Sequence, residues 1–410
     1  MTALRKKIQA GLSRRFDKFI RGVAPRQKLS LKLVDNFKEF GGVEKICSLT
    51  DRRTRLSPPQ LLDTHLVEIR QSQIEVASPD VHLLEFRDVQ VVGLNLAIIR
   101  GDKAFHPELS YTEPTHDYKT PDLCQFESGE RKRLAFNVHS RPLVKKRIKV
   151  GFHLLKEHSY NYYHWLAECL PRLAYFCENV KRVQPDQEIF VLIDSFLGEQ
   201  YKEAIRRIIN FPFRLQVVRR GELVHCDRLF YVSPFWYALD NSKHQVDPQR
   251  DFAVDKFAIE VLRCSCCPAG TNTKPSRKIY LPRVATQVRR IINAPEVEQV
   301  MRENGFEIIH AHQFTFAQQV ELFASVKIIV GATGAAFSNM VFMQPGSKAV
   351  IISPKQLEVF NYYIFQQHAD VAGVELMHLL AVPEKHDGFF VHDDFSVNCD
   401  DLRALLKRLN

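Results

Sequence analysis

Lys327-Ile-Ile-Val-Gly-Ala-Thr-Gly-Ala-Ala336 joins a continuously apolar segment to a loop of glycine and alanine. A short run that is apolar throughout is typical of a strand buried on both faces of a parallel sheet. Ligands of such sheets bind beyond the carboxyl ends of the strands, often against a helix N-terminus. The stretch therefore predicts one strand of a nucleotide-binding half-domain, with the glycine loop on the ligand side.

Strands and helices alternate on both sides of that loop. Apolar runs predict further strands at residues 278–281 and 306–310. Two capping boxes predict helix starts: Asn293 with Glu296, and Thr315 with Gln318. Alternation at this spacing predicts a parallel sheet covered by helices.

The chain before this region predicts a second α/β lobe. An apolar strand at 188–193 is followed by an amphipathic helix at 197–210 and by strands at 215–218 and 228–232. We therefore divide the chain into four segments. They are a basic amphipathic leader at 1–50, an N-terminal α/β lobe at 51–263, a linker of small residues and prolines at 264–276, and a C-terminal α/β lobe with a terminal helix at 277–410.

The composition bounds the class of protein. Of the 410 residues, 45% are hydrophobic and 25% charged, which is typical of soluble globular proteins. No apolar run approaches the roughly 20 residues that cross a bilayer, and the N-terminus lacks the apolar core of a signal peptide. We therefore expect a cytoplasmic protein with reduced cysteines. Cys264, Cys266 and Cys267 lack the second spaced pair of a structural zinc site, so zinc is disfavoured there.

The leader carries much of the net charge of +10. Its first 21 residues hold seven basic side chains, and on a helix its apolar residues share one face: Leu4, Ile8, Leu12, Phe16, Phe19 and Ile20. This pattern is typical of a helix on an anionic membrane surface. A helix that packs its apolar face on the protein's own core has the same pattern, and both interpretations stay open. Without an accompanying binding motif, a nucleic-acid partner is not expected.

His158-Ser-Tyr-Asn-Tyr-Tyr-His-Trp-Leu-Ala-Glu-Cys-Leu-Pro-Arg-Leu173 is the second conspicuous segment. As a helix that begins near Ser159 or Asn161, it places His164, Glu168 and Arg172 in one stripe at i, i+4 and i+8. An imidazole, a carboxylate and a guanidinium on one face combine proton transfer with anion binding. A hydrogen-bonded surface ladder has the same spacing and remains the structural alternative.

Together the two segments resemble glycosyltransferase family 61 and its bacterial capsule-associated relatives. The resemblance spans roughly residues 150–410 as an ordered set of motifs: Asn161-Tyr-Tyr-His-Trp-Leu166, Leu170-Pro-Arg-Leu173, Ile279-Tyr-Leu-Pro-Arg283, Arg289-Arg290 with Asn293, Gly331-Ala-Thr-Gly-Ala-Ala-Phe-Ser-Asn339 and Pro345-Gly346-Ser347. It implies the GT-B architecture of two Rossmann-like lobes, in which the N-terminal lobe binds the acceptor. It further implies an inverting sugar transfer from a nucleotide-sugar donor, which is a substrate, with no cofactor.

The resemblance also implies a site for the donor nucleotide and its diphosphate: Arg283, Arg289, Gly331, Thr333, Gly334, Ala335, Ala336 and Asn339. Backbone amides at the helix start and two guanidinium groups are suited to a diphosphate. Thr333 stands where the family usually has a histidine, and a threonine hydroxyl is shorter and cannot become cationic. Four alternatives follow: the loop functions less well, another basic group compensates, the donor differs, or catalysis is lost.

For the catalytic base, Glu168 is the first candidate and His164 the second, because a carboxylate partner favours the cationic form of a histidine. Asn161 and Arg172 are expected to contact the acceptor or to support the site. The sequence shows no Asp-x-Asp-like pair where a metal–diphosphate site would be expected, and we interpret Asp393-Asp394 as a turn. No obligatory metal is therefore expected.

These expectations combine into a hexosyl- or pentosyltransferase of capsular or lipopolysaccharide-type surface polysaccharide biosynthesis. It would be a peripheral protein at the inner face of the cell membrane, with a glycan or lipid-linked acceptor. One alternative is a non-catalytic member of the fold that acts as a partner in a polysaccharide assembly complex. Another is a nucleotide-dependent enzyme of different chemistry on the same type of sheet. A dehydrogenase is disfavoured because the first turn lacks Gly-x-Gly-x-x-Gly.

Overall fold

A computed structural model gives the structure of the chain. It describes residues 26–34, 36–69, 71–107, 119–120, 124–127, 130–139, 146–183, 187–238, 252–267, 274–283, 289–355, 357, 359–385 and 393–409. The helix predicted for the first 21 residues lies outside these ranges. Its interpretation as a membrane-surface segment therefore stays a prediction.

Strands form most of the N-terminal half and alternate with helices in the C-terminal half. In chain order the described strands are β1 (Arg26–Val34), β2 (Val43–Leu49), β3 (Arg53–Leu56), β4 (Gln60–Asp63), β5 (Val67–Ile69), β6 (Ile74–Ala77), β7 (Val81–Val92), β8 (Ile98–Arg100), β9 (Lys103–Phe105), β10 (Lys119–Thr120), β11 (Cys124–Glu127), β12 (Glu130–His139), β13 (Lys146–His153), β14 (Ile189–Asp194), β15 (Phe213–Val218), β16 (Leu223–Val232), β17 (Trp236–Ala238), β18 (Phe252–Val254), β19 (Arg277–Leu281), β20 (Glu307–Ile308), β21 (Val326–Ala332), β22 (Lys348–Pro354), β23 (Glu375–Lys385) and β24 (Asp394–Ser396).

The helices cover the sheets. They are α1 (Phe37–Phe40), α2 (Tyr162–His164), α3 (Leu170–Val183), α4 (Glu199–Ile208), α5 (Lys256–Cys266), α6 (Ala294–Glu303), α7 (Phe316–Ala324), α8 (Val359–Tyr363), α9 (Gln366–Ala372) and α10 (Cys399–Leu409), with a π-helix (Trp165–Cys169) between α2 and α3 and 3-10 helices at Thr64–Leu66, Ala311–Gln313 and Ala335–Phe342. Among the helices in the described ranges, none has the length and apolar character required to cross a membrane.

The C-terminal sheet has the strand order β20-β19-β21-β22-β23-β4-β5. The five strands from β20 to β23 are parallel, which confirms the predicted parallel sheet. Strand β21 is buried at every position except Lys327, as its continuous apolar run predicted. The chain passes from β19 to β20 on one side and returns to β21 on the other. The switch point of the sheet, where ligands bind in open α/β folds, therefore lies between β19 and β21.

The N-terminal sheet combines a parallel part with an antiparallel part. The parallel part consists of β16, β13, β14 and β15 in that order, as expected for the predicted second α/β lobe. Strand β7 pairs antiparallel with β16 and connects this part to β8, β9, β1 and β12. The chain is therefore a mixed α/β protein with a second switch point between β13 and β16.

Strand pairing crosses the segment boundaries placed from the sequence. Strands β1 and β2 belong to the large N-terminal sheet, so residues 26–49 are not part of a separate leader. Strand β4 pairs with β23, which puts residues 60–69 in the C-terminal sheet. A pairing partner several hundred residues away has no local signature. Helix α5 ends at Cys266 and β19 begins at Arg277, at the two ends of the predicted linker.

The two sheets share apolar packing between them. One cluster of buried side chains extends from Phe152 and Trp165 on the N-terminal side to Met340 and Ile351 on the C-terminal side. Glu203 of α4 also caps α7, because its carboxylate oxygens accept from the amides of Phe316 and Ala317 at 2.8 and 3.1 Å. The two halves are thus held against each other by apolar packing and by this cap.

One predicted capping box is correct and the other is wrong. The Thr315 hydroxyl accepts from the Gln318 amide at 3.2 Å, and the Gln318 side chain accepts from the Thr315 amide at 2.9 Å. Asn293 makes no such bond, since its side chain pairs with the backbone of Val397 at 2.9 and 3.0 Å. The tertiary partner replaces the local cap.

Asp394 is also placed differently from its prediction as part of a turn. It opens β24, and its carboxylate accepts from the amide and the side chain of Arg290. The carboxylate is nearly buried, at 8% side-chain exposure. It therefore anchors the segment that carries the neighbouring Arg289.

Candidate functional site

The glycine loop lies at the switch point of the C-terminal sheet. Strand β19 is followed by Arg283, and β21 is followed by Thr333 and Gly334. The Nη1 atom of Arg283 donates to the Thr333 carbonyl at 2.5 Å, while the Thr333 amide donates to Ile352 at 2.9 Å. The main chain at Thr333 is therefore fixed by both neighbouring segments, with a guanidinium group beside it.

Two glycines permit this close approach. A Cβ atom on Gly331 would lie 2.7 Å from the carbonyl oxygen of Leu281 in the neighbouring strand. A Cβ atom on Gly334 would lie 2.8 Å from Nη1 of Arg283. At Gly331 the obstacle is backbone, so that position needs glycine for space. At Gly334 the obstacle is the end of the Arg283 side chain, which a larger residue would push away from the loop.

The helix after the loop is a 3-10 helix rather than an α-helix. It begins after Gly334, whose carbonyl accepts from the Phe337 amide at 3.0 Å. The amides of Ala335 and Ala336 come first, where a helix has no internal acceptor for its donors. Residues 333–336 are partly exposed, whereas 337–342 are buried. The loop thus presents backbone donors at an accessible edge.

Arg283 and Arg289 bring positive charge to that edge. Burial, together with the nearby charge of Arg289, lowers the pKa of Arg283 to about 10. Burial also lowers the pKa of Arg289, whose Nε atom is buried without a hydrogen-bond partner in the described part of the chain. Arg289 has a φ of 56°, an unfavourable angle for a residue with a side chain. Two desolvated guanidinium groups side by side favour a bound anion.

His164 and Glu168 meet as the i, i+4 spacing predicted. Nδ1 of His164 lies 2.5 Å from Oε1 of Glu168, and Oε2 of Glu168 lies 3.0 Å from Nζ of Lys156. Burial alone would raise the pKa of Glu168, but the His164 ring, when protonated, and the Lys156 ammonium group lower it to about 2. Glu168 is therefore a carboxylate, and Nδ1 of His164 donates the hydrogen between them.

These three groups differ in access to solvent. The side chains of Glu168 and Lys156 are 3% and 8% exposed, whereas the His164 side chain is 19% exposed. Both carboxylate oxygens of Glu168 already contact a partner. The histidine is thus the member of the group that an external molecule reaches first.

Arg172 does not join the predicted stripe. The π-helix at Trp165–Cys169 rotates the chain between His164 and α3. The guanidinium of Arg172 is buried and donates to the carbonyls of Val232 and His153 at 2.7 and 2.8 Å. These carbonyls belong to the last residues of β16 and β13. The Arg172 guanidinium therefore lies at the N-terminal switch point, where it bonds to the protein's own backbone.

Asn161 and Asn339 hold the two segments in place. The Asn161 side chain accepts from the Tyr163 amide at 3.0 Å and caps α2, at the second of the two predicted helix starts. Asn339 is fully buried; it accepts from the Tyr162 hydroxyl at 2.7 Å and donates to Gln319 at 3.0 Å. Its amide is therefore engaged within the protein, and the bond to Tyr162 joins the helix of His164 to the glycine-loop helix.

Two residues near these clusters were not identified from the sequence. Lys156 lies in the loop after β13, and its contact with Glu168 spans twelve residues without a periodic signal. His310 follows β20, the strand beside β19, and its Nδ1 atom is buried without a hydrogen-bond partner among the described residues. The two histidines of His310-Ala-His312 are the sequence feature from which His310 could have been identified.

No metal centre is formed by the residues that the structure describes. Within those ranges, no group of three or more His, Cys, Asp or Glu side chains is arranged to hold an ion. Cys264 is exposed and Cys266 is buried, and both are free thiols.

Comparison with known proteins matches the part of the chain that contains His164, Glu168 and the glycine loop. The sequence model of the family described as Glycosyltransferase 61 matches residues 162–351. No curated protein matches the chain. The matched span begins at Tyr162, two residues before His164, and ends in β22, beyond the glycine loop. Residues 162–351, somewhat less than half of the chain, therefore match the glycosyltransferase 61 family, and the match supports a transferase.

Proposed function

We propose that the chain is an inverting glycosyltransferase that moves a sugar from a nucleotide-sugar donor to a glycan or lipid-linked acceptor. The observation that carries the proposal is the pair Arg283 and Arg289 beside the open amides of Ala335 and Ala336, at the switch point of a parallel sheet. Backbone donors and guanidinium groups together match the charge and shape of a diphosphate. The match of residues 162–351 to a glycosyltransferase family supports a nucleotide sugar as the donor.

The diphosphate of the donor would lie across the glycine loop. Ala335 and Ala336 would donate to its oxygens, and Arg283 and Arg289 would balance the charge that develops as the sugar–phosphate bond breaks. These two cations replace a divalent metal in the proposal, so transfer is expected to be independent of added metal. His310 lies at the same edge and is our candidate for the imidazole that Thr333 does not supply.

The acceptor would bind on the side of His164. We assign the proton transfer to His164 with Glu168 as its partner, since Glu168 is ionised and buried and His164 is the more exposed. The acceptor hydroxyl gives its proton to Nε2 of His164 while its oxygen attacks the anomeric carbon. The nucleoside diphosphate leaves from the opposite face of the sugar, which inverts the configuration.

In this proposal the N-terminal sheet forms the acceptor lobe and the C-terminal sheet the donor lobe of a GT-B enzyme. The cellular setting we propose is surface polysaccharide assembly at the inner face of the membrane, with a hexosyl or pentosyl group transferred. The basic residues among the first 21 would keep the protein close to a lipid-linked acceptor.

A thermal-shift panel tests the donor assignment. The full-length protein is melted in millimolar EDTA with each nucleoside diphosphate and nucleotide sugar, and at least one is expected to raise the melting temperature. A nucleotide that works only after addition of a divalent metal would refute the metal-independent site. If every nucleotide leaves the melting temperature unchanged, the glycine loop does not bind a donor.

The second candidate function is a non-catalytic partner in a polysaccharide assembly complex. It is favoured by Thr333, which lacks the cationic form available to the histidine of the family. Slow release of nucleoside diphosphate from the donor in water separates the two. Release that depends on His164 supports the enzyme, and binding without release at any protein concentration supports the partner.

Gly334→Ala should weaken the binding of the nucleoside diphosphate by about tenfold, because the new methyl group displaces Arg283 from the loop. Titration calorimetry with the nucleotide selected by the panel gives the dissociation constant. Gly198→Ala is the matched control, since a Cβ atom there meets no atom within 4 Å and its backbone φ of −71° suits alanine. Equal affinities in both variants would show that Arg283 is not part of the site.

A further inference from the structure

We propose that Lys156 is a positioning residue that keeps His164 neutral and oriented, so that His164 can accept a proton. The inference rests on the proposed function only for the identity of that proton, which belongs to the acceptor hydroxyl. The contact between Lys156 and Glu168 exists in the free protein and is tested without a substrate.

Lys156 is held in place through both its ammonium group and its backbone amide. Its ammonium group lies 3.0 Å from Oε2 of Glu168, in a position where both side chains are almost completely buried. Its backbone amide donates to Oδ2 of Asp194 at 3.2 Å, and the same oxygen accepts from the Ser159 hydroxyl at 2.8 Å. The end of β14 thus holds the loop that delivers Lys156 to Glu168.

The balance of charge explains what Lys156 does. Glu168 contacts one cation, Lys156, and one titratable ring, His164. With Lys156 charged, the Glu168 carboxylate is already paired, and a proton on His164 would place a second cation beside the same carboxylate in a poorly solvated position. The Glu157 carboxylate also acts on Lys156, but it is itself paired with His106. Without Lys156, the unbalanced carboxylate would hold His164 as a cation. A cationic imidazole has no lone pair with which to accept a proton.

The side chains that pack on the His164 ring are aromatic. The His158 ring lies 5.6 Å away on the preceding loop, and when protonated it also opposes a cation at His164. Tyr163 and Trp236 pack at the edges of the ring. His368 of α9 packs on Tyr163, and burial lowers its pKa to about 3, so it is uncharged at neutral pH. Lys156 and Glu168 form the ion pair in direct contact with this ring system.

Nuclear magnetic resonance of histidine rings tests the proposal on the full chain. The titration midpoint of His164 is assigned with a His164→Gln variant and then followed in Lys156→Met and Lys156→Gln. Loss of the cation should raise the midpoint by about one pH unit or more in both variants. Lys156→Arg keeps the charge and should keep the midpoint. Lys202→Met removes a half-buried lysine paired with the exposed Glu199 and is the matched control.

The same variants give a second readout in donor turnover. In Lys156→Met the acidic limb of the pH profile should move upward by the same amount as the midpoint, so activity at neutral pH falls about tenfold and recovers at higher pH. Lys156→Arg should restore the original profile. A lysine that only stabilised the fold would lower activity equally at every pH.

The outcomes separate this inference from the proposed function. An unchanged His164 midpoint in either folded variant overturns the role of Lys156, whatever the activity. A raised midpoint in a protein that never turns over a donor supports the role of Lys156 and rejects the transferase. If Lys156→Met melts below the measuring temperature, Lys156→Gln carries the test, because its amide retains a hydrogen-bond donor toward Glu168.

Discussion

Arg283→Met is expected to weaken nucleoside diphosphate binding by about 30- to 100-fold. A hydrogen bond between charged groups contributes about 2–3 kcal/mol, which corresponds to that range of dissociation constants. Methionine keeps the aliphatic part of the side chain, so the packing around β19 is largely preserved. The loss is therefore assigned to the guanidinium group.

The substitution also removes the anchor of the loop. Nη1 of Arg283 donates to the Thr333 carbonyl, and this bond fixes the backbone just before Gly334. A looser loop presents the amides of Ala335 and Ala336 less precisely to a phosphate. Calorimetric titration in EDTA should show the lower affinity with a smaller binding enthalpy, because fewer donors are preorganised.

Arg277→Met is the matched control for this experiment. Arg277 stands at the opposite end of the same strand and pairs with Glu307 at the surface, at 2.6 Å. A surface ion pair of this kind contributes little to stability. We expect unchanged affinity for the nucleotide. Equal losses in both variants would point to damage to the strand, and full affinity in Arg283→Met would place the diphosphate elsewhere.

The parallel sheets were predictable because burial imposes a local pattern. A strand covered on both faces, such as β21 or β14, is apolar along its length, and that run is visible in the sequence. Strand lengths were less well predicted. The strand expected at 306–310 shortens to Glu307–Ile308, because β20 is the edge strand and has one neighbour to pair with.

Contacts between distant segments were not predictable. The capping box at Thr315 succeeded since both partners lie within one turn of helix. Asn293 failed as a cap because Val397, 104 residues away, offers it two backbone bonds. The pairing of β4 with β23 is also a contact between distant segments, and no periodicity within either segment predicts it.

The candidate site shows the same division between local and distant information. The spacing of His164 and Glu168 was sufficient to predict their contact. Arg172 was expected in the same direction, but the π-helix adds a residue to one turn and moves it to the strand ends. Lys156 was missed because a loop, whose course depends on Asp194, carries it to Glu168.

His164→Gln is expected to lower kcat for sugar transfer by about 10² to 10⁴-fold, the usual contribution of a positioned general base. Glutamine still donates to Glu168 through its amide, so the local packing is retained. Donor affinity should stay unchanged, because the proposed role of His164 is toward the acceptor and not toward the diphosphate. Steady-state transfer kinetics with the selected donor, together with calorimetry of donor binding, give the two quantities separately.

Two further variants decide which residue of the pair accepts the proton. His158→Asn changes the exposed neighbouring ring, tolerates the φ of 60° at that position, and should leave kcat within about twofold. Glu168→Gln should lower kcat less than His164→Gln does, because the histidine keeps its lone pair and loses only the charge that stabilises its protonated form. The reverse order, with Glu168→Gln the more damaging and His164→Gln nearly active, would return the role of base to Glu168. That result would require the carboxylate to leave Lys156 during the reaction, since both of its oxygens are engaged in the free protein.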